Sequence, residues 1–141
     1  NGPLLIADTQ VNAIPSPDQI SQIVIATARH ARRFGIEPKI ALCSHSQFGN
    51  LDSESGRNMR EALRILDESK CDFLYEGEMH SDAALDPELR SRIMPNSRLD
   101  GTAKEYPANV PVGVAIAVLI PTNSPFKFTR APPEFPGFTG A

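Results

Sequence analysis

Several familiar patterns are missing from this chain. Its 141 residues contain only two cysteines, Cys43 and Cys71, each inside an apolar run and with no CxxC spacing. A disulfide framework is therefore not expected, and two buried free thiols in a reducing compartment are. Positive charge is in short supply: 14 Lys and Arg stand against 17 Asp and Glu, for a formal charge of −3. A protein that grips nucleic acid through its phosphates is usually basic overall or on one face, so a nucleic-acid partner is not expected. No run approaches the ~20 apolar residues needed to cross a bilayer. The opening NGPLLIADTQ lacks a basic segment followed by a long apolar one. The expectation is a soluble cytoplasmic protein with no membrane partner. HExxH, GxGxxG and Walker sequences are also absent.

What is present is ordinary globular composition, 40% hydrophobic and 22% charged, in a chain long enough for one real core. Its character changes part-way. Of 13 prolines, 7 follow residue 103 (Pro107, Pro111, Pro121, Pro125, Pro132, Pro133 and Pro136). Proline removes a donor and fixes φ, which rules out a long helix there.

Before that point strands and helices alternate. LLIA at 4–7 is a short apolar run that suits a buried strand. Ser16, Pro17 and Gln19 carry the cap, first-turn proline and capping-box signals of a helix start. Ile20, Ile23, Val24, Ala28 and Ala31 form its apolar stripe, on which Thr27 packs its methyl and bonds back to the preceding turn. Arg29, His30, Arg32 and Arg33 complement the C-terminal end of the dipole, and Gly35 stops the helix. KIALCS reads as a second strand. A second helix opens at Asp52 or Ser53, with Met59, Ala62, Leu63 and Leu66 buried, and Arg57–Glu61 and Arg64–Glu68 paired outside. CDFLY at 71–75 reads as a third strand and GEMHSDAAL as the loop after it. Asp86-Pro87 restarts a short helix, and Met94-Pro95 ends it. VPVGVAIAVLI suits one further strand at 110–120, and the remaining tail reads as extended, proline-rich chain.

This alternation predicts an α/β layer with a mainly parallel sheet and flanking helices. Right-handed crossovers then bring ADTQVN, SHSQFGN and EGEMHSD to one rim, where open α/β sheets bind ligands. Within CSHSQFGN, neighbours in extended chain point to opposite faces, so local Ser–His or Cys–His catalysis is not expected, and Cys43 is assigned to the core. His45, Glu78, His80 and Asp82 would converge if their loops were neighbours, but they lack a dedicated ligand spacing, and no metal is expected. Ser44, Ser46, Gln47, Gly49 and Asn50, between a strand end and a helix start, suit an anion; equally, Ser44 and Asn50 suit ordinary turn and cap duties. Glu78 and Asp82 either meet donors on a ligand away from its phosphate or brace neighbouring loops.

ADTQVN, RFGIEPKIALCSHSQFG, GEMHSDAALDPELR and MPNSRLDG occur in an order and spacing that resemble the phosphate acetyl/butyryltransferase-like (phosphotransacetylase) domain. SHSQFG and the histidine of GEMH lean toward the version fused C-terminally to bacterial NADP-dependent malic enzymes. Glu76 stands where that family usually has Asp, and Asn50 where it usually has Ser. The likeness covers residues 3–103. It implies a phosphotransacetylase or isocitrate dehydrogenase-like architecture, incomplete at the C-terminal end. It divides the chain into an α/β subdomain at 1–103 and an atypical tail at 104–141. It also implies a regulatory, oligomerising domain, dimeric or higher, that binds acetyl-CoA as an effector. NADP and a divalent metal would belong to fused malic-enzyme domains, for which no motif occurs here. The ligand set implied is Asp8, Asn12, Ser44, His45, Ser46, Gly49, Glu78, His80 and Asp82, with no catalytic residue, because the tail has no counterpart to the serine–arginine and aspartate positions of true phosphotransacetylases. The alternative is an acyltransferase that moves an acyl group between CoA and phosphate. On this sequence reading, changing Ser46 and His45 to alanine lowers affinity and leaves stability nearly unchanged.

Overall fold

The computed structural model describes residues 4–8, 12, 14–100 and the strand at 112–118. The elements are β1 (Leu4–Ala7), α1 (Pro17–Arg33), β2 (Glu37–Cys43), α2 (Glu54–Glu68), β3 (Leu74–Met79), α3 (Ser81–Leu85), α4 (Pro87–Ile93), a 3-10 turn (Arg98–Asp100) and β4 (Val112–Val118). Every strand pairing is parallel, and the order is β1-β4-β2-β3. The expected α/β class and parallel sheet are therefore observed. The expected strand at 110–120 corresponds to β4, which lies inside the sheet between the first two strands of the chain.

The helix starts follow from their caps. Ser16 accepts from the Gln19 amide at 3.3 Å and the Gln19 side chain accepts from the Ser16 amide at 2.9 Å, so two orphan donors of α1 are satisfied reciprocally. Ser53 caps α2 by accepting from the Gly56 amide at 3.1 Å. Thr27 is buried on the α1 stripe, and its hydroxyl donates to the Ile23 carbonyl at 2.7 Å, the expected back-bond. Past Arg33 the chain turns through Gly35 at φ +71°, a left-handed conformation that glycine adopts without strain.

Strand alternation divides the core in two. Ile40 and Leu42 face α1 and α2, where they meet Ile20, Val24, Ala28, Met59, Ala62 and Leu66. Ala41 and Cys43 face the other way, toward Met79, Ala83, Ala84 and Leu99. Both sets are removed from water, which supplies the main driving force for folding at about 25 cal/mol per Å2 of apolar surface. At the β3 edge, Arg98 donates to both oxygens of Asp67 at 2.6 and 3.2 Å and lies 5.6 Å over the Tyr75 ring, while the Tyr75 hydroxyl donates to Asp67 at 2.7 Å. This arrangement ties the 3-10 turn to the end of α2. On β1, Leu4 and Ile6 point outward and are 46% and 56% exposed.

The structure differs from the expectations in four places. β3 begins at Leu74 rather than residue 71 and runs on through Glu76, Gly77 and Glu78, which the polarity of the segment assigns to a loop. Both glutamates are buried and accept hydrogen bonds from within the chain, so polarity did not signal exposure here. α3 forms inside the stretch expected to be loop. Arg57 pairs with Asp52 rather than Glu61, while Glu61 joins Glu68 around Arg64. Cys71 is only half-buried, because it precedes β3 instead of lying within it.

Gly77 packs face-on to β2: a Cβ there would lie 2.7 Å from Leu42 Cβ and 2.8 Å from the Leu42 carbonyl oxygen. Gly77→Ala is expected to cost about 1–3 kcal/mol by overpacking, measured as a lower denaturant midpoint with an unchanged m-value.

Candidate functional site

Because the strands are parallel, β1, β2 and β3 deliver Asp8, Ser44 and His80 to the same edge. The β2 exit is fastened to β3 by the Ser44 amide, which donates to the Met79 carbonyl at 2.9 Å. Between Leu42 and Cys43 the β2–β3 register slips: Leu42 pairs with Gly77 and Cys43 with Met79. Glu78 is the extra residue of this bulge, and it turns toward α2.

Glu78 is fully buried. Its Oε1 accepts from the Ser46 hydroxyl at 2.5 Å, from the Gly49 amide at 3.2 Å and from Arg60 Nη1 at 2.8 Å. Its backbone carbonyl accepts from the Phe48 amide at 2.6 Å. Its Oε2 lies over Gly56 in the first turn of α2, where a Cβ would come within 2.3 Å. Gly56 permits that approach, and the positive end of the helix dipole favours a carboxylate there. Ser46 is likewise fully buried, while Arg60 is 37% exposed at the outer end of the pair.

The loop itself is closely braced. The Ser46 amide donates to Ser44 Oγ at 3.2 Å, and the Gln47 amide donates to Asn50 Oδ1 at 3.0 Å. Phe48 and Gly49 take left-handed backbone at φ +48° and +81°. His80 Nε2 is 3.0 Å from the His45 carbonyl. A carbonyl only accepts, so Nε2 carries a proton and donates. On the β1 side, Asn12 Nδ2 donates to Asp8 Oδ1 at 3.0 Å. Asn58 of α2 donates to the Pro15 carbonyl at 3.1 Å, fastening the segment before α1 to the helix beside the loop.

Among the described residues, three buried side-chain polar atoms have no hydrogen-bond partner: Asp8 Oδ2, His45 Nδ1 and Glu78 Oε2. All three belong to residues at or just behind this edge. Buried polar groups are rarely left without a partner.

The nine expected ligand residues divide into three groups. Asp8, Asn12, Ser44, His45 and His80 are half-buried along the edge. Ser46 and Glu78 sit behind it, engaged with each other, and Gly49 is exposed while its amide is committed to Glu78. Asp82 is exposed on α3 and accepts from the Ala83 amide at 2.7 Å. Of the two roles open to Glu78, bracing is the one its bonds display. Sequence reasoning missed Arg60 and Gly56. The available signal was their i, i+4 spacing at the start of α2, which puts both on the helix face turned toward the loop.

Against this geometry the comparisons are specific. Residues 1–106 match the phosphate acetyl/butaryl transferase family. The chain belongs to this family. It is 48% identical over 103 residues to the NADP-dependent malic enzyme of Salmonella typhimurium, covering 73% of this chain and 14% of that protein. It is 45% identical over 103 residues to the corresponding Escherichia coli enzyme, again covering 73% of this chain and 14% of that protein. With the phosphate acetyltransferase of Clostridium acetobutylicum it shares 36% over 103 residues, covering 72% of this chain and 31% of that protein. The chain thus spans about one seventh of the malic enzymes it matches. In three dimensions it resembles a phosphotransacetylase from Streptococcus pyogenes, with a TM-score of 0.64 and 30% identity over 81% of this chain and 32% of that one. It shares its fold with EutD phosphotransacetylase from Staphylococcus aureus, with a TM-score of 0.63 and 24% identity over 81% of this chain and 33% of that one. The expected kinship with the phosphotransacetylase-like part of bacterial NADP-dependent malic enzymes holds. Among the described residues, no helix is long and apolar enough to cross a membrane.

The burial of Ser46 revises the expectation for its removal. Ser46→Ala leaves a buried carboxylate without its hydroxyl donor and is expected to cost about 1.5–3 kcal/mol, read from chemical unfolding. Cys43 is buried against the second core, and burial, with a smaller contribution from the Asp82 charge, pushes its thiol up to about 12. Above the ordinary thiol range the unfolded chain releases this proton and the folded chain retains it, so stability falls as pH rises from about 9 to about 12. The thiol's share of that loss is about 1.4 kcal/mol per pH unit. Denaturation series at pH 8 and pH 10 are expected to show the loss in the natural protein and a smaller one in Cys43→Ala.

Proposed function

We propose that this chain is the phosphotransacetylase-like part of an NADP-dependent malic enzyme, which as a whole oxidatively decarboxylates malate to pyruvate. In this reading the part does not catalyse. It holds acetyl-CoA as an effector at the edge formed by Asp8, Asn12, Ser44, His45 and His80, and it joins copies of the protein into a dimer or larger assembly. NADP and the divalent metal belong to the other domains of the parent protein, in a cytoplasmic enzyme.

The observation that carries the reading is the coincidence of two facts: the 48% and 45% identities to malic enzymes, and the gathering of partnerless buried atoms at the parallel-strand edge. A pantetheine arm offers amide and hydroxyl donors, which suit an unsatisfied Asp8 oxygen and His45 Nδ1. An effector changes activity only through different affinities for two states of the protein. In this protein, α2 and the loop bound to it are the elements through which occupancy at the edge would reach the rest of the molecule.

The second reading, an acyltransferase between CoA and phosphate, is favoured by the 36% identity to a phosphate acetyltransferase. Titration calorimetry of acetyl-CoA into the full-length protein, run beside malate-dependent NADP reduction, separates the two. Saturable binding with a lowered reduction rate, and no phosphate-dependent release of CoA, is the expected result. Phosphate-dependent CoA release would establish the transferase instead, and an absence of binding would overturn both. His45→Ala is expected to weaken the binding by roughly tenfold, the equivalent of one good hydrogen bond.

A further inference from the structure

A serine hydroxyl, a glycine amide in a left-handed turn, an arginine and a helix N-terminus normally converge on a phosphate oxygen. Here Ser46, Gly49, Arg60 and the first turn of α2 converge on the protein's own Glu78. We propose that Glu78 is a built-in anion: a positioning residue that folds the loop at 44–50 around itself, with Arg60 as its counter-ion, and closes the Ser46–Gly49 hollow to free phosphate.

The bonds make residue 78 the organising point of the loop. Its side chain and carbonyl together receive Ser46 Oγ, the Phe48 amide and the Gly49 amide, and the next residue receives the Ser44 amide. Phe48 at φ +48° is a conformation that a bulky residue rarely adopts unless its surroundings impose it. Holding Phe48 and Gly49 this way commits Ser46 inward and leaves Ser44 and His45 half-buried at the edge. The carboxylate is itself held in place. Oε2 is pressed on Gly56, Oε1 takes three donors, and Arg60 lies against Gly49, its Nη1 3.6 Å from where a Cβ would be. Arg60 at 37% exposure and an exposed Gly49 also leave a way in for a small anion once the carboxylate is removed.

The test uses the full-length protein, with hydrogen-exchange mass spectrometry of the peptide spanning the loop. Glu78→Ala is expected to speed exchange of the loop amides by roughly tenfold or more, the equivalent of one charged hydrogen bond, while the β2 peptide keeps its protection. Sodium formate, compared with chloride at equal ionic strength, is expected to restore protection in Glu78→Ala and to leave the natural protein unchanged. Inorganic phosphate is expected to leave the natural loop unchanged too. Natural-type exchange in Glu78→Ala, failure of formate to restore it, or protection of the natural loop by phosphate would each overturn the proposal. Should Glu78→Ala fail to fold, Glu78→Gln and Arg60→Gln carry the test through the same selective rise in loop exchange, and its absence in both overturns the proposal. A final measurement rests on the functional reading above: acetyl-CoA affinity is expected to fall with loop protection and to return with formate. If the natural protein does not bind acetyl-CoA, that reading fails, and the loop measurements still decide the role of Glu78.

Discussion

A buried carboxylate with one half-exposed counter-ion is the constraint around which this end of the molecule is arranged. Taking Glu78 out of water is expensive, and Coulomb attraction to a single arginine at the surface does not offset it. The remainder comes from a hydroxyl, an amide and the end of a helix. Each of those in turn dictates a residue: a serine that faces inward, a glycine in a left-handed turn, and a glycine in the first turn of α2 where alanine would otherwise favour the helix by about 1 kcal/mol. The bulge in β3 that aims Glu78 at α2 belongs to the same set.

The strand-end edge is built on this arrangement in two layers. The inner layer is Glu78 with Ser46, the Gly49 amide and Arg60, bonded to one another. The outer layer, Asp8, Asn12, Ser44, His45 and His80, is half-buried and incompletely satisfied.

Much of this was legible in the residues. Ser16, Pro17 and Gln19 mark the start of α1 because capping chemistry is local. The α1 and α2 stripes are legible because each needs only one helical period. The shared edge follows from strand–helix alternation alone, which brings Asp8, Ser44 and His80 together without any long-range information. Three things were not legible. Glu76 and Glu78 lie in a buried strand, and hydrophobic patterning has no way to show a carboxylate satisfied by partners distant in sequence. Arg57 bonds Asp52 while Glu61 is engaged by Arg64, a choice among exposed partners of similar energy that spacing alone does not make. The place of β4 in the sheet was also hidden, since periodicity identifies a strand without naming its neighbours.

That last feature bears on how the molecule comes into being. β1 precedes the other described strands in the chain, and its pairing partner is the last of them, so Leu4 waits for Val114. Until then β2 and β3 can pair and receive α1 and α2, while β1 carries Leu4 and Ile6 with an open hydrogen-bonding edge. Contacts that close the whole chain form slowly, and an unpaired apolar strand is the kind of edge that recruits other chains. During folding β1 is therefore open to pairing with other chains until β4 takes its place between β1 and β2.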